Sequence, residues 1–362
     1  MMVLSMVLTA CGEAATSSQP GATTSAGATA TADATTEASS APSEEPTPEI
    51  ETIRLGYLLF PAIDGHVRVG NTQGFWAKRG IEFETTEFDA GGPVTQALVG
   101  GSLDMGIIGG ATPIFNCQGI VQTFVFNAIE PYAGAIWAGP DVATVADLQG
   151  KTVGTIFGTT AHIMLIVALD AAGLTQDDVE VVNLEPAAVV SAFIAGQVDA
   201  ISPFAEAGED IAAGRPDAHQ IAESVDYFPR ATVMGGWIVS PEFAEENHDL
   251  LVRVVLGWLD ANDYIINHPT EAADDQFEQA YEALGITRER FDRDYVGIVQ
   301  YQPNAEWLDL IENGEVEEIQ TNLTEDFRSV GRIETCVPTS EWLQTYYDIY
   351  QEAYALWEEE QE

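Results

Sequence analysis

The chain has 362 residues, enough for two domains, and carries 58 acidic against 13 basic side chains, for a formal net charge of −45. No basic stripe exists to neutralise phosphates, which excludes nucleic acid as a partner. The charge instead describes either selection for a cationic ligand or a solvated acidic surface that stays soluble at high salt.

Residues 1–10, MMVLSMVLTA, are apolar and run into Leu8-Thr9-Ala10-Cys11. This is the bacterial lipobox pattern, in which cleavage precedes a cysteine that takes lipid, here with a short apolar run and no basic n-region. Residues 11–49 hold almost nothing but Ala, Thr, Ser, Gly, Pro and Glu, with no aromatic or large aliphatic side chain. They cannot bury a core and are expected to form a disordered tether. No other segment approaches the roughly 18 apolar residues that span a bilayer. The expected plan is a body anchored through Cys11 but not embedded, outside the cytoplasm.

Folded sequence begins near Glu51. Ile53–Leu59 reads as a strand, Phe60–Val69 as a turn entering a helix, and Ile81–Phe88 as an alternating second strand. Gly91-Gly92-Pro93 opens a helix over Val94–Val99 that stops at Gly100-Gly101. Met105–Ile108 is a third strand, followed by Gly109, Gly110, Ala111 and Thr112 at another helix start. Lys151–Ile156 is a strand, Gly158-Thr159-Thr160 a polar break, and Ala161–Ala172 an apolar helix ending at Gly173. Val179–Leu184 is a buried-type strand, and Pro186 starts a helix over Ala187–Ala195 that ends at Gly196. Strands alternating with helices of this length predict βαβ units and parallel sheets.

A repeat runs through these units. Ala97, Val99, Gly101, Leu103 and Asp104 align with Ala192, Ile194, Gly196, Val198 and Asp199 at a constant offset of 95 residues. It predicts an α/β fold of two similar lobes, with 50–138 plus 240–362 in the first and 139–239 in the second. Tyr132–Ala138 and Thr232–Val239 read as hinge strands, with Gly134, Gly235 and Gly236 able to absorb the backbone change of closure. From Pro241 the sequence turns helical, over Leu250–Ile266, Ala272–Leu284, Trp307–Ile319 and Ser340–Trp357. These helices are expected to pack on the first lobe, which would bring Cys336 near Cys117. With Cys11 lipidated, those two cysteines are either a disulfide or two separate buried thiols.

No nucleophile elbow, P-loop, zinc-protease motif or metal-spaced Cys/His cluster occurs, so neither catalysis nor a metal or cofactor is expected. What recurs is a helix start after a strand, at Gly91, at Gly110–Thr112, at Thr159–Ala161 and at Glu185. Such first turns offer unpaired N–H groups and a positive dipole end to a small anion. Phe60, Phe204 and Trp237 lie next to strand ends or the hinge and could supply apolar walls. His162 sits one turn into the apolar helix, beside the proposed site. Arg230 is either a counter-ion or half of a surface ion pair.

Leu148-Gln149-Gly150-Lys151, Val181 through Pro186 and Gly196-Gln197-Val198-Asp199 resemble the periplasmic solute-binding proteins of ABC importers. The fold is type II and the branch is the nitrate/taurine/alkanesulfonate one. The chain is similar to taurine-binding proteins in particular, through Thr159, Thr160 and His162 and the Phe88-Asp89-Ala90-Gly91 step. The resemblance implies a monomeric receptor that closes two lobes on a small organic anion and delivers it to an ABC permease. Thr159, Thr160 and Ala161 would hold a sulfonate, and Phe204 would form an aromatic wall. Gly235 stands where taurine binders carry an aspartate able to meet an ammonium, which leaves Glu185 or Glu206 for that role. The alternatives on the same fold are a thiamine-pyrimidine-synthase-like enzyme and a ligand-sensing partner of a membrane receptor.

Overall fold

The computed structural model describes residues 50–297 and 299–362. Cys11, the lipobox and the tether lie outside the described residues. Ten strands follow in chain order: β1 (Glu51–Leu58), β2 (Ile81–Phe88), β3 (Met105–Ile108), β4 (Gln122–Phe126) and β5 (Ala135–Ala138), then β6 (Thr152–Thr155), β7 (Glu180–Asn183), β8 (Ala200–Ser202), β9 (His219–Glu223) and β10 (Gly236–Val239). They form two five-stranded sheets of matching plan, ordered β2-β1-β3-β10-β4 and β7-β6-β8-β5-β9. In each sheet three strands pair in parallel, one strand (β10 or β5) runs antiparallel beside them, and the edge strand (β4 or β9) pairs antiparallel with that one. With helices flanking both sheets, the fold is α/β.

The hinge strands end in different sheets from those their place in the chain suggests. β5 pairs with β8 and β9 in the second sheet, while β10 pairs with β3 and β4 in the first. The passages between sheets therefore fall at 127–134 and 224–235. They are tied together by the bridge between Glu130 and Val233 and by Ser224, whose hydroxyl donates to Pro131 O at 2.6 Å. Their glycines are close-contact positions: a Cβ on Gly236 would lie 2.8 Å from Thr123 Cγ2, and one on Gly134 3.0 Å from Met164 Cγ. None of the three hinge glycines has a positive φ.

The repeat has a physical basis. Gly101 and Gly196 end their helices at φ 73° and 68°, a left-handed conformation that glycine adopts without Cβ strain. Asp104 then accepts from Arg54 N and donates its own N–H to Arg54 O, both at 2.9 Å. Asp199 does the same with Thr152, again at 2.9 Å. Each aspartate thus fixes the entry of the central parallel strand of its sheet.

The first core gathers Trp76, Trp237 and Trp258 under the His248–Asn267 and Gln344–Gln361 helices. The expected helix across Trp307–Ile319 is two helices, Asn304–Glu312 and Glu315–Ser329, separated by Gly314 at φ 78°. The second of them also corrects the expectation that the C-terminal helices serve the first lobe alone. Its Val316 and Ile319 enter the first core, whereas Leu323 and Phe327, further along the same apolar stripe, enter the core of the second sheet. Cys117 and Cys336 form a disulfide across 219 residues of sequence, tying the Thr112–Cys117 helix to the C-terminal segment. No described helix is long and apolar enough to cross a membrane.

Candidate functional site

Six parallel-strand exits feed helix starts or short turns, three from each sheet. β1 runs through Phe60 into Pro61–Gln73, β2 into Gly91–Val99, and β3 through Gly109-Gly110-Ala111 into Thr112–Cys117. In the second sheet β6 leads into Thr160–Ala171, β7 through Glu185 into Pro186–Ile194, and β8 through Phe204 into a short turn at Ala205–Ala207. Ligands in such sheets sit beyond the carboxyl ends of the strands.

Two exits from different sheets meet. A Cβ built on Gly110 would lie 2.9 Å from Thr160 Cγ2 and 2.7 Å from Val233 Cγ1, closer than real Cβ contacts come. Glycine at 110 is what lets the first lobe approach the start of the Thr160–Ala171 helix. That start carries no side-chain cap, because the Thr159 hydroxyl donates to Ile156 O at 2.7 Å and does not turn back to the helix. The first-turn N–H groups are thus left to another acceptor. Arg332, from the C-terminal segment, packs on the same turn: a Cβ on Gly158 would lie 2.9 Å from its Nε. Among the described residues Arg332 makes no ion pair, so it adds positive potential beside the turn. Sequence reasoning missed it, since it lies more than 170 residues from Gly158.

His162 supports the turn through its side chain. It is 4 % exposed, accepts from Gly158 N–H at Nδ1 (3.2 Å), and lies 2.9 Å from Gln176 Oε1 through Nε2. With Nδ1 an acceptor, the proton sits on Nε2 and the ring is neutral. Burial lowers its pKa in the same sense. Phe157 stacks on it at 4.6 Å.

The remaining expected residues divide. Phe60 is half-buried at the β1 exit and packs on the first core. Gly91 rests on Ile108 at the β3 exit, and Ala161 is buried in the first turn of its helix. Phe204 bridges to Gly134 of the outward passage. Thr112 is fully buried and its hydroxyl has no partner among the described residues, at the start of a six-residue helix. Glu185 is exposed at the N-cap of the Pro186–Ile194 helix. Trp237 belongs to the core, which corrects its placement as a cleft wall: it is 0 % exposed, rings from Trp76, Phe83 and Phe124 surround it, and its Nε1 donates to Asn127 Oδ1 at 2.7 Å. Arg230 pairs with Asp170 and Asp326, both at 2.7 Å.

A second residue at the site, after Arg332, had no signal in the sequence. Glu130, on the outward passage, is 5 % exposed, and its carboxylate takes a hydrogen bond from Gly235 N–H. A Cβ on Gly235 would lie 3.8 Å from Glu130 Oε1 and 3.4 Å from Gly109 Cα, so the carboxyl group stands at the β3 exit. Burial, reinforced by the nearby charge of Glu206, pushes it up to about 8 against the lowering effect of that hydrogen bond. Glu206 is itself raised, by burial first, with Arg290 opposing.

Two α/β lobes of equal strand order, joined by paired passages and with parallel-strand exits that meet, are the architecture of the periplasmic binding proteins. The sequence matches the NMT1/THI5-like family over residues 66–272, more than half of its length, and the chain belongs to that family. A putative binding protein of Brucella abortus (strain 2308) is 29% identical over 222 residues, covering 61% of this chain and 69% of the relative. The taurine-binding periplasmic protein of Escherichia coli (strain K12) is 25% identical over 201 residues, covering 54% and 61%. Among solved structures, the periplasmic aliphatic sulphonate binding protein SsuA from Escherichia coli matches with a TM-score of 0.65 at 22% identity, over 80% of this chain and 91% of that one.

Proposed function

We propose that this chain is the solute-binding component of an ABC importer and captures a small organic anion, taurine or another alkanesulfonate, between its lobes. It works as a monomer outside the cytoplasm, held to the membrane only by a lipid on Cys11, and passes its ligand to a permease without chemical change. The two lobes are taken as 50–134 with 236–362, and 135–235.

The observation that carries this reading is the uncapped start of the Thr160–Ala171 helix, facing Gly110 of the other lobe with Arg332 beside it. A helix N-terminus supplies N–H donors and a dipole end worth up to about 2 kcal/mol to a partly buried anion. A sulfonate has three acceptor oxygens for them, and its charge is fixed across the whole working pH range. The chain's net charge of −45 does not oppose this, since salt screens distant charges beyond about 10 Å at 0.1 M. The relatives named for taurine and aliphatic sulfonates support the ligand class. The relatives named as binding proteins support a receptor over an enzyme of this fold.

A thermal-shift panel tests the reading, with taurine, ethanesulfonate, nitrate, bicarbonate and acetate. A bound sulfonate at one hundred times its Kd adds about 2.7 kcal/mol of stability and raises Tm in proportion to the logarithm of its concentration. A Tm that no sulfonate moves at millimolar concentration would refute the ligand class.

A further inference from the structure

We infer that Arg290 and Arg293 latch the first lobe to Glu209 and Asp210 of the second, and so set how long a captured solute is held. This rests on capture between two closing lobes and assigns residues that govern release without touching the ligand.

The two arginines lie on a short helix, Arg288–Phe291, and the wider turn Asp292–Val296 that continues it. Apolar packing anchors this segment on the first lobe. Phe291 is fully buried against the rings of Tyr281 at 4.6 Å and Phe277 at 5.5 Å. Val296 joins the same cluster as Leu59, the residue that leaves β1. Tyr281 also donates to Asp64 Oδ1 at 3.1 Å, in the Pro61–Gln73 helix. The segment therefore moves with the first lobe.

Its ties to the second lobe are charged. Arg290 Nη2 lies 3.0 Å from Asp210 Oδ2, and its Nε lies 3.5 Å from Glu209 Oε2. Arg293 Nη2 donates to the same Glu209 oxygen at 2.6 Å. Glu209 and Asp210 open the Gly208–Gly214 helix, directly after the Ala205–Ala207 turn that leaves β8. Since β1 and β8 are both interior strands of their sheets, the pairs run from one strand exit to the other, where ligands lie. The four side chains keep 26–58 % of their surface in water. They are thus hydrated readily when the lobes part, whereas buried pairs would weld the lobes shut.

The charge of the chain gives these arginines their purpose. Residues 135–235 hold 14 acidic and three basic side chains, a formal charge of −11 within a total of −45. Two acidic lobes repel as they close, across about 10 Å at 0.1 M salt. Arg290 and Arg293 oppose that repulsion at the edge where the lobes meet. Both lie beyond residue 272, where the family match ends.

Stopped-flow release of taurine and ethanesulfonate tests this, with nitrate, bicarbonate and acetate as further anions. One variant combines Arg290→Gln with Arg293→Gln, and a second combines Glu209→Gln with Asp210→Gln. A third reverses all four charges, by Arg290→Glu, Arg293→Glu, Glu209→Arg and Asp210→Arg. Either neutral pair is expected to speed release about 3- to 30-fold, with the association rate kept within about twofold. Agreement between them assigns the effect to the pairs, because the acid-side variant leaves Arg290 acting on Glu206. Combining the two neutral pairs should add little to either alone. The reversal keeps the net charge and should bring release back toward the wild-type rate, which a purely structural role would not do. Unchanged release in both neutral pairs, full additivity on combining them, or faster release still in a folded reversal overturns the latch. If another anion binds but no sulfonate does, the ligand class fails and release of that anion tests the latch. Binding of none of the five overturns both.

Discussion

Gly110→Ala is the substitution by which the approach of the two lobes can be weighed. The backbone at 110 has no positive φ, so alanine brings no conformational strain of its own. Its methyl group would stand 2.9 Å from Thr160 Cγ2 and 2.7 Å from Val233 Cγ1, where about 3.4–4 Å is ordinary contact. Overpacking of this kind costs about 1–3 kcal/mol. The part due to Thr160 arises only when the lobes are together, so it appears as lost affinity, at most roughly 5- to 150-fold if it carried the whole of that range. Thr160→Ser removes the offending methyl and keeps the hydroxyl, and should restore part of the loss in the double variant. Calorimetric titration of taurine into the three variants, with Tm of the ligand-free proteins, measures both terms. Affinity equal to wild type, or a drop in ligand-free Tm with no loss of affinity, would refute the argument that Gly110 and Thr160 close on the ligand.

Other consequences follow from the packing and the charges. Removing the Cys117–Cys336 bridge with paired serines should lower the unfolding free energy by up to about 5 kcal/mol, the loop-entropy value for 219 residues; denaturant unfolding with an unchanged midpoint would contradict a stabilising bridge. Glu130, pushed up to about 8, keeps in the folded state a proton that the unfolded chain has lost above pH 4.5. Its contribution therefore disfavours folding increasingly as pH rises, by about 2 kcal/mol between pH 6.5 and 8. Ligand-free unfolding measured across that window should show this slope in the wild type and lose it in Glu130→Gln. Trp237→Phe removes the bond to Asn127 Oδ1 and should cost about 1–2 kcal/mol of stability, while taurine affinity stays unchanged; a large affinity loss would return Trp237 to the binding site.

The alternating elements were legible because local chemistry dictates them. Left-handed glycines end helices at 101, 173 and 196, and Ile81–Phe88 and Met105–Ile108 form over the residues their patterns predict. Pairing was less legible. Periodicity marks a strand but not its partner, so the exchange of β5 and β10 between sheets could not be read, and β4 and β9, short antiparallel edge strands, went unseen. The Thr159–Thr160 turn showed itself as a polar break between a strand and an apolar helix. Glu130 and Arg332 did not, because a single acid before Pro131 and a single arginine after Gly331 look like surface residues until the fold buries one and lays the other on Gly158. Trp237 failed in the opposite sense: an aromatic beside two glycines suggested a cleft wall, but it is 0 % exposed and packed against three other rings.

The central claim is that an anion is held by the first turn of the Thr160–Ala171 helix, between the lobes. A crystal structure of the protein with taurine tests it most directly. The account predicts sulfonate oxygens within hydrogen-bond distance of the Ala161 and His162 N–H groups, with Gly110 on the opposite wall. Taurine bound elsewhere, such as the groove of about 470 Å³ lined by Ala272, Gln276 and Tyr301, would contradict it.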